Sequence, residues 1–477
     1  MPDRTLILSL LFFLCSLLGP YSLADTLELD TLPQNTRYYF QVENLSDPSD
    51  NFIQNNQDGF FPPASTQKLL TALAAKLELE PDFHYRTELS KKADHWYLHF
   101  SGDPTLSRQD LLTLLTQAKE QGLTHIKGNL YIDDTHFSGL GNAVGSPWDA
   151  LGVCYSAPSQ ATNLDHNCIP GALYTSASGK TRVNVPKQYP IYVDNQAVTV
   201  TSSVKKQQHC ELHLQATNDN HYVLSGCIVE REKPLPLNFA VRNTSLYTTQ
   251  VIYQQLNQLG ITLDGQVLTA PRPKDSELIA QHQSQPLDDL LKVMLRKSDN
   301  LIADSMTKTL GQKFFFQPGN FDNGTEAIKQ ILLSKAGIDL THAQIVDGSG
   351  LSRSNRLTAG MLLDVLRYIG QHDKTLNFVT LLPRSGQSGT LKYRRSMLAS
   401  PVKGNIAAKS GTLYGTKNMA GFALNEQGEP TRIFLQLVSD YFPEKDRKTS
   451  PLTQVERRFY PLVVQRDMAL AQQRPHQ

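Results

Sequence analysis

Helical periodicity in this chain breaks off soon after Leu77 and returns in strength only at Leu287, and what lies between reads as strands. Leu69, Leu70, Leu73, Ala74 and Leu77 share one face at helical spacing from a start near Ser65, and Pro62-Pro63 bar an earlier one. Leu287, Leu290, Leu291, Met294 and Leu295 repeat the pattern and stop at Arg296-Lys297, cations suited to a helix C-terminus. A further helix buries Leu301, Ile302, Met306 and Leu310. From about Phe83 to Gln283 short alternating runs prevail, as at residues 96–100, 130–132 and 198–200, with few helical interruptions such as 111–119. That middle reads as one or two β-rich inserted modules, not as a continuation of the first helix. Strands are expected at residues 37–42, 406–409, 417–424 and 431–438, and a helix at 360–369. Late strands flanked by helices predict an α/β (α+β) domain built around an antiparallel sheet.

The first 24 residues combine a short charged start, an apolar run over 6–18, a Gly19-Pro20 break and small residues at Ser22 and Ala24. That is the layout of a secretory signal peptide cleaved before Asp25. An uncleaved anchor competes with it, but the apolar run is shorter than the roughly 20 residues a span needs. Four cysteines remain, Cys154, Cys168, Cys210 and Cys227, an even count suited to disulfides in an exported protein. Folding a hairpin about Asn218-Asp219-Asn220 sets Cys210 almost opposite Cys227, leaving Cys154 for Cys168; four reduced thiols are the alternative. With 46 basic against 45 acidic residues the chain has no electrostatic footprint for nucleic acid. It lacks a His-Glu-x-x-His string or a Cys/His cluster at zinc spacing, so no metal or other cofactor is expected.

Three strings carry chemistry: Ser65-Thr66-Gln67-Lys68, Ser298-Asp299-Asn300 and Lys409-Ser410-Gly411-Thr412. In that order they match the nucleophile, proton relay and carboxylate anchor of penicillin-recognising serine acyltransferases. Lys68 lies about one helical turn from Ser65, within reach of its proton if burial or neighbouring cations lower the amine pKa. Ser298 and Asn300, at a break between two helices, can relay a proton and orient the lysine. Lys409 to Thr412 read as an edge strand whose ammonium and hydroxyls hold a carboxylate, with Gly411 admitting substrate and the Thr412 and Ser65 N–H groups forming an oxyanion hole. Neither of the first two strings suffices alone. Ser-x-x-Lys recurs at Ser202, Ser203, Ser305 and Ser400, and Ser-Asp-Asn at Ser49. These copies are read as structural, Ser305 as a helix serine with a solvated lysine.

The chain closely resembles the penicillin-binding protein 4 family of periplasmic D-alanyl-D-alanine carboxypeptidases and endopeptidases. Pro63-Ala64-Ser65-Thr66-Gln67-Lys68, Gly102-Asp103-Pro104-Thr105-Leu106, Val346-Asp347-Gly348-Ser349-Gly350-Leu351-Ser352-Arg353 and the surroundings of Lys409 carry the resemblance. It implies a serine β-lactamase/transpeptidase-like domain made by both ends of the chain, residues 25–85 and 284–477, with two smaller β-rich domains inserted. These would be residues 86–188 with 262–283, and residues 189–261. It implies Ser65, Lys68, Ser298 and Asn300 as catalytic residues and Lys409, Ser410, Gly411, Thr412 and Arg353 as substrate-binding ones. An acidic residue of the first inserted domain, matched to Asp165, is implied to read the diaminopimelate side chain. The expected partners are peptidoglycan peptides and β-lactam antibiotics; a second copy of the chain and peripheral membrane contact through residues 455–470 stay open. Packing of that segment against the sheet is favoured. Ser410 departs from the usual Lys-Thr-Gly but keeps the hydroxyl, and Tyr414 stands where a polar amide occurs. A β-lactamase and a non-catalytic muropeptide-binding envelope protein are the competing functions; the long insertion disfavours the first and the intact motifs the second.

Overall fold

A computed structural model describes residues 27–444 and 449–472, with side chains through residue 464. The signal peptide expected over residues 1–24 lies outside the described residues. The central sheet has five antiparallel strands in the order Ile406–Leu413, Thr416–Leu424, Pro430–Ser439, Arg37–Asn44, Asn51–Asn55. The strand bearing the third string is therefore an edge, as expected.

Alternation along each strand feeds two cores. Ile433, Leu435 and Leu437 face a layer of helices, whereas Phe434 and Val438 face the opposite side. The helix layer contains Lys68–Glu78, Leu287–Lys297, Asn300–Phe315, Phe321–Ala336 and Ala359–Leu376. Its buried leucines each contribute about 1.5–3 kcal/mol. On the other face the Pro451–Gln472 helix lays Val455, Phe459, Tyr460 and Val463 against Phe40 and Phe434. Its Glu456 is buried and accepts from Ser396 Oγ at 2.7 Å and from Arg394, fixing the helix to the domain. The described part of the 455–470 segment thus packs against the sheet. Among the described residues no helix is long and apolar enough to cross a membrane.

Strands from both ends of the insertion share one mixed sheet, in the order Val267–Thr269, Leu130–Asp133, His95–Phe100, Arg86–Lys92, Glu277–Gln283. Two smaller sheets are built between residues 168 and 240. Pairing and packing lead us to propose joins other than those expected. Cys168–Thr175, allotted to the first inserted domain, pairs with Leu235–Ala240 of the second. The Thr244–Leu259 helix, allotted to the second, buries Val251 and Ile252 in the core that includes Leu98 and Leu114 of the first. Sequence texture misses this because both modules alternate alike and only pairing partners separate them. We place the joins near Cys168 and Thr244.

Disulfides link Cys154 to Cys168 and Cys210 to Cys227. Leu212 pairs with Gly226 across the hairpin, the register that brings Cys210 beside Cys227.

Candidate active site

The first string does not begin a helix directly. Ala64–Gln67 form one 3₁₀ turn and the α-helix starts at Lys68, so Ser65 sits on a tight turn against the edge strand. Space there is minimal: a Cβ on Gly411 would lie 2.9 Å from the Pro63 carbonyl and 3.1 Å from the Ser65 N. Gly411 thereby lets the strand approach the Ser65 backbone, which suits two N–H groups converging on one oxyanion.

Lys68 is fully buried. Its Nζ lies 2.6 Å from Asn300 Oδ1, 2.6 Å from the Ser349 carbonyl and 3.3 Å from Ser65 Oγ. A neutral amine has two N–H donors and one lone pair. The two short contacts are to acceptors only, so the lone pair is left for the Ser65 hydroxyl. Burial is the main reason the amine pKa falls to about 8, against the opposing pull of Asp304, Asp347 and Asp299. Asp304, also buried, is pushed up to about 8 by desolvation and by Asp347, although it accepts from the Gly348 and Ser349 N–H groups. Burial and the neighbouring Asp347 thus disfavour the charged form of Asp304 and weaken its pull on Lys68.

Ser298 caps the Leu287–Lys297 helix with φ +59°, and Asp299 caps the next helix by accepting from the Ile302 N–H at 2.9 Å. This double cap turns Ser298 and Asn300 toward Lys409 and Lys68. Lys409 Nζ donates to Ser298 Oγ at 2.8 Å and to the Ser410 carbonyl at 2.7 Å. Burial, then the Lys68 charge, drives the Lys409 pKa well below the ordinary lysine range. An incoming anion would favour the charged form of this amine. Ser410 donates instead to Thr390 Oγ1 at 2.9 Å.

Ser65, Ser298, Asn300, Arg353 and Thr412 line one cleft of about 510 Å³, together with Asp149, Tyr155 and Tyr414. Asp165 does not line it, which corrects the expectation for that residue. Its carboxylate accepts from Arg108 N and Nε at 2.9 Å and from Tyr247 OH at 2.6 Å, so it braces the inserted region internally. The carboxylate that the insertion presents to the cleft is Asp149, exposed beside Tyr155. Sequence reasoning missed it because an exposed aspartate in a loop carries no periodic signal. It also missed Asp304, hidden in a helix, and the turn around Asp347. There Gln67 Nε2 and the Gly350 and Ser352 N–H groups meet the Asp347 carboxylate and hold the Ser349 carbonyl on Lys68; the glycine-rich string was the available clue.

The recurring strings fall elsewhere. Ser49 lies in the turn joining two strands of the central sheet, and Ser202 and Ser203 in a short exposed helix. Ser305 corrects a reading: Lys308 is buried, not solvated, and donates to the Leu140 and Ser159 carbonyls.

A family model described as the D-Ala-D-Ala carboxypeptidase 3 (S13) family matches residues 23–458. D-alanyl-D-alanine carboxypeptidase DacB of Haemophilus influenzae is 36% identical over 442 residues, 90% of this chain and 91% of that protein. A D-alanyl-D-alanine carboxypeptidase of an Actinomadura species is 28% identical over 77% of this chain and 71% of its own. The crystal structure of penicillin-binding protein 4 from H. influenzae superposes with TM-score 0.84 at 34% identity, covering 92% of this chain and all of that one. The same protein solved in complex with a β-lactam gives TM-score 0.79 at 33% identity, over 92% of this chain and 99% of that one.

Proposed function

The chain belongs to the D-Ala-D-Ala carboxypeptidase 3 (S13) family, and on that premise we propose that it is a periplasmic serine D,D-carboxypeptidase and D,D-endopeptidase acting on peptidoglycan stems through an acyl-enzyme on Ser65. The observation that carries the reading is the buried Lys68 amine, held by two acceptors with Ser65 Oγ as its third contact 3.3 Å away. Ser65 Oγ attacks the carbonyl of the penultimate D-alanine as its proton passes to Lys68 Nζ. The oxyanion is held by the Ser65 and Thr412 N–H groups. Collapse breaks the C–N bond, and a proton returned through Ser298 Oγ leaves with the amine, either free D-alanine or the side-chain amine of a cross-linked diaminopimelate. Water then attacks the ester and restores Ser65. Lys409 and Thr412 hold the carboxylate of the leaving residue, whose charge favours the charged form of the buried amine. A β-lactam acylates Ser65 by the same attack. Export is supported by the N-terminal signal and by two disulfides, which favour an oxidising compartment.

Arg353 and Asp149 face the same cleft with opposite charges, an arrangement suited to the carboxylate and amine of a diaminopimelate side chain. Arg353→Ala should raise KM for a diaminopimelate-containing stem by about tenfold, the loss of one charge-assisted contact, with kcat nearly kept. Steady-state kinetics against a D-alanyl-D-alanine peptide with an uncharged side chain in place of that of diaminopimelate, whose KM should not move, checks it. Digestion of purified cross-linked muropeptides by wild type and Ser65→Ala, with products resolved by mass, tests the function itself. D-alanine and uncross-linked stems should appear only with wild type; equal yields from both proteins would overturn the proposal.

A further inference from the structure

Three consecutive residues without a glycine, Asp165, His166 and Asn167, adopt left-handed φ of +52°, +59° and +47°. Such backbone costs on the order of 1 kcal/mol or more per residue, and it persists only where surrounding contacts hold it. All three side chains are held: Asp165 by Arg108 and Tyr247, Asn167 by donating to the Pro158 carbonyl at 2.9 Å, and His166 by both ring nitrogens. His166 Nδ1 lies 2.8 Å from the Pro104 carbonyl and Nε2 lies 2.7 Å from Asp299 Oδ2. With Asp299 ionised, both partners only accept, so both nitrogens donate and the ring is an imidazolium.

The neighbouring Cys168 is bridged to Cys154, and the residue after Cys154 also reaches the second string: the Tyr155 carbonyl accepts from Asn300 Nδ2 at 2.8 Å. One disulfide thus staples two segments of the insertion that grip adjacent residues, Asp299 and Asn300. Asn300 passes that grip to Lys68 through its other amide atom.

We propose that His166 is a positioning residue of the reaction, an imidazolium clamped on Asp299 that fixes Asn300 beside Lys68 and cancels the Asp299 charge at the Lys68 amine; this rests on Ser65 and Lys68 acting as proposed above. The charges facing Lys68 are Asp299, Asp304 and Asp347 against Lys409, and those facing His166 are Asp299 and the like-charged Lys297. Burial opposes charging of both His166 and Asp299, yet their mutual hydrogen bond and attraction hold the imidazole above and the carboxyl below its usual range. The His166 side chain is 39% exposed, so solvent reaches it. Without the cation, the buried Asp299 carboxylate would stabilise protonated Lys68 and remove the free base.

The test is the rate of acylation by a fluorescent penicillin across pH for wild type, His166→Ala, His166→Gln and His166→Arg. The alanine and glutamine variants should have the acidic limb of the profile moved up by about one unit, equivalent to about tenfold slower acylation below it. Arginine, which restores a cation, should return the limb to the wild-type position. Glutamine keeps the size and a donor, so it serves if alanine does not fold. Limbs that coincide in wild type and glutamine variant, however far rate or melting temperature falls, would reduce His166 to a structural residue and overturn the proposal, as would an arginine variant shifted like glutamine. Labelling that persists in Ser65→Ala defeats the underlying reading instead, so the two failures are distinguishable.

Discussion

Lys68→Met should slow acylation of Ser65 by about 10³-fold and abolish its pH dependence near 8. Methionine keeps an unbranched stem of similar length in a fully buried slot, so the fold is expected to hold. The loss is chemical: no other basic nitrogen lies in hydrogen-bond reach of Ser65 Oγ among the described residues, and a positioned base supplies about 10²–10⁴ in rate. In wild type the active form is the neutral amine. With its pKa lowered to about 8, acylation should rise with pH up to that value and level off above it. Stopped-flow labelling with a fluorescent penicillin from pH 6 to 9 reads both effects. A methionine variant retaining the wild-type profile would remove Lys68 from the mechanism.

Gly350→Ala should do nearly as much harm without touching a reacting atom. Gly350 has φ +74°, and a Cβ there would lie 1.9 Å from the Ala64 carbonyl oxygen and 2.5 Å from its carbon, both backbone. The turn cannot yield without moving the residue before Ser65 or the Ser349 carbonyl that orients Lys68. The expected cost is about 3 kcal/mol or more, from overpacking and the left-handed backbone together. Melting temperature should fall by about 3 °C or more, and acylation by more than about 10²-fold through misplacement of Ser65. Differential scanning calorimetry with penicillin labelling checks both; a fully active, equally stable variant would contradict the close packing of this turn.

How far sequence alone reached depended on whether a feature was local. The helix after Lys68 and the Leu287–Lys297 helix announce themselves by an apolar face, and the edge strand Ile406–Leu413 by its apolar start and its third string. The inserted modules were legible as β-rich, but the joins near Cys168 and Thr244 depend on which strands pair across dozens of residues, and alternation does not encode partners. At the site, Ser65, Lys68, Ser298, Asn300 and Lys409 were readable because ordered strings name them. Asp304 and His166 were not, since each meets a neighbour distant in sequence, and Asp149 was not, since an exposed loop aspartate carries no periodic signal. Asp165 was misjudged: in the left-handed turn it faces Arg108 while His166 faces the second string, and the carboxylate lining the cleft is Asp149.

The central claim is that Ser65 is the acylated nucleophile, and the most direct measurement is peptide mapping by mass spectrometry after reaction with benzylpenicillin. One acyl group per chain is predicted, on the peptide containing Ser65, and none on the Ser65→Ala protein. An adduct on any other serine, or equal modification of the alanine variant, would contradict the account.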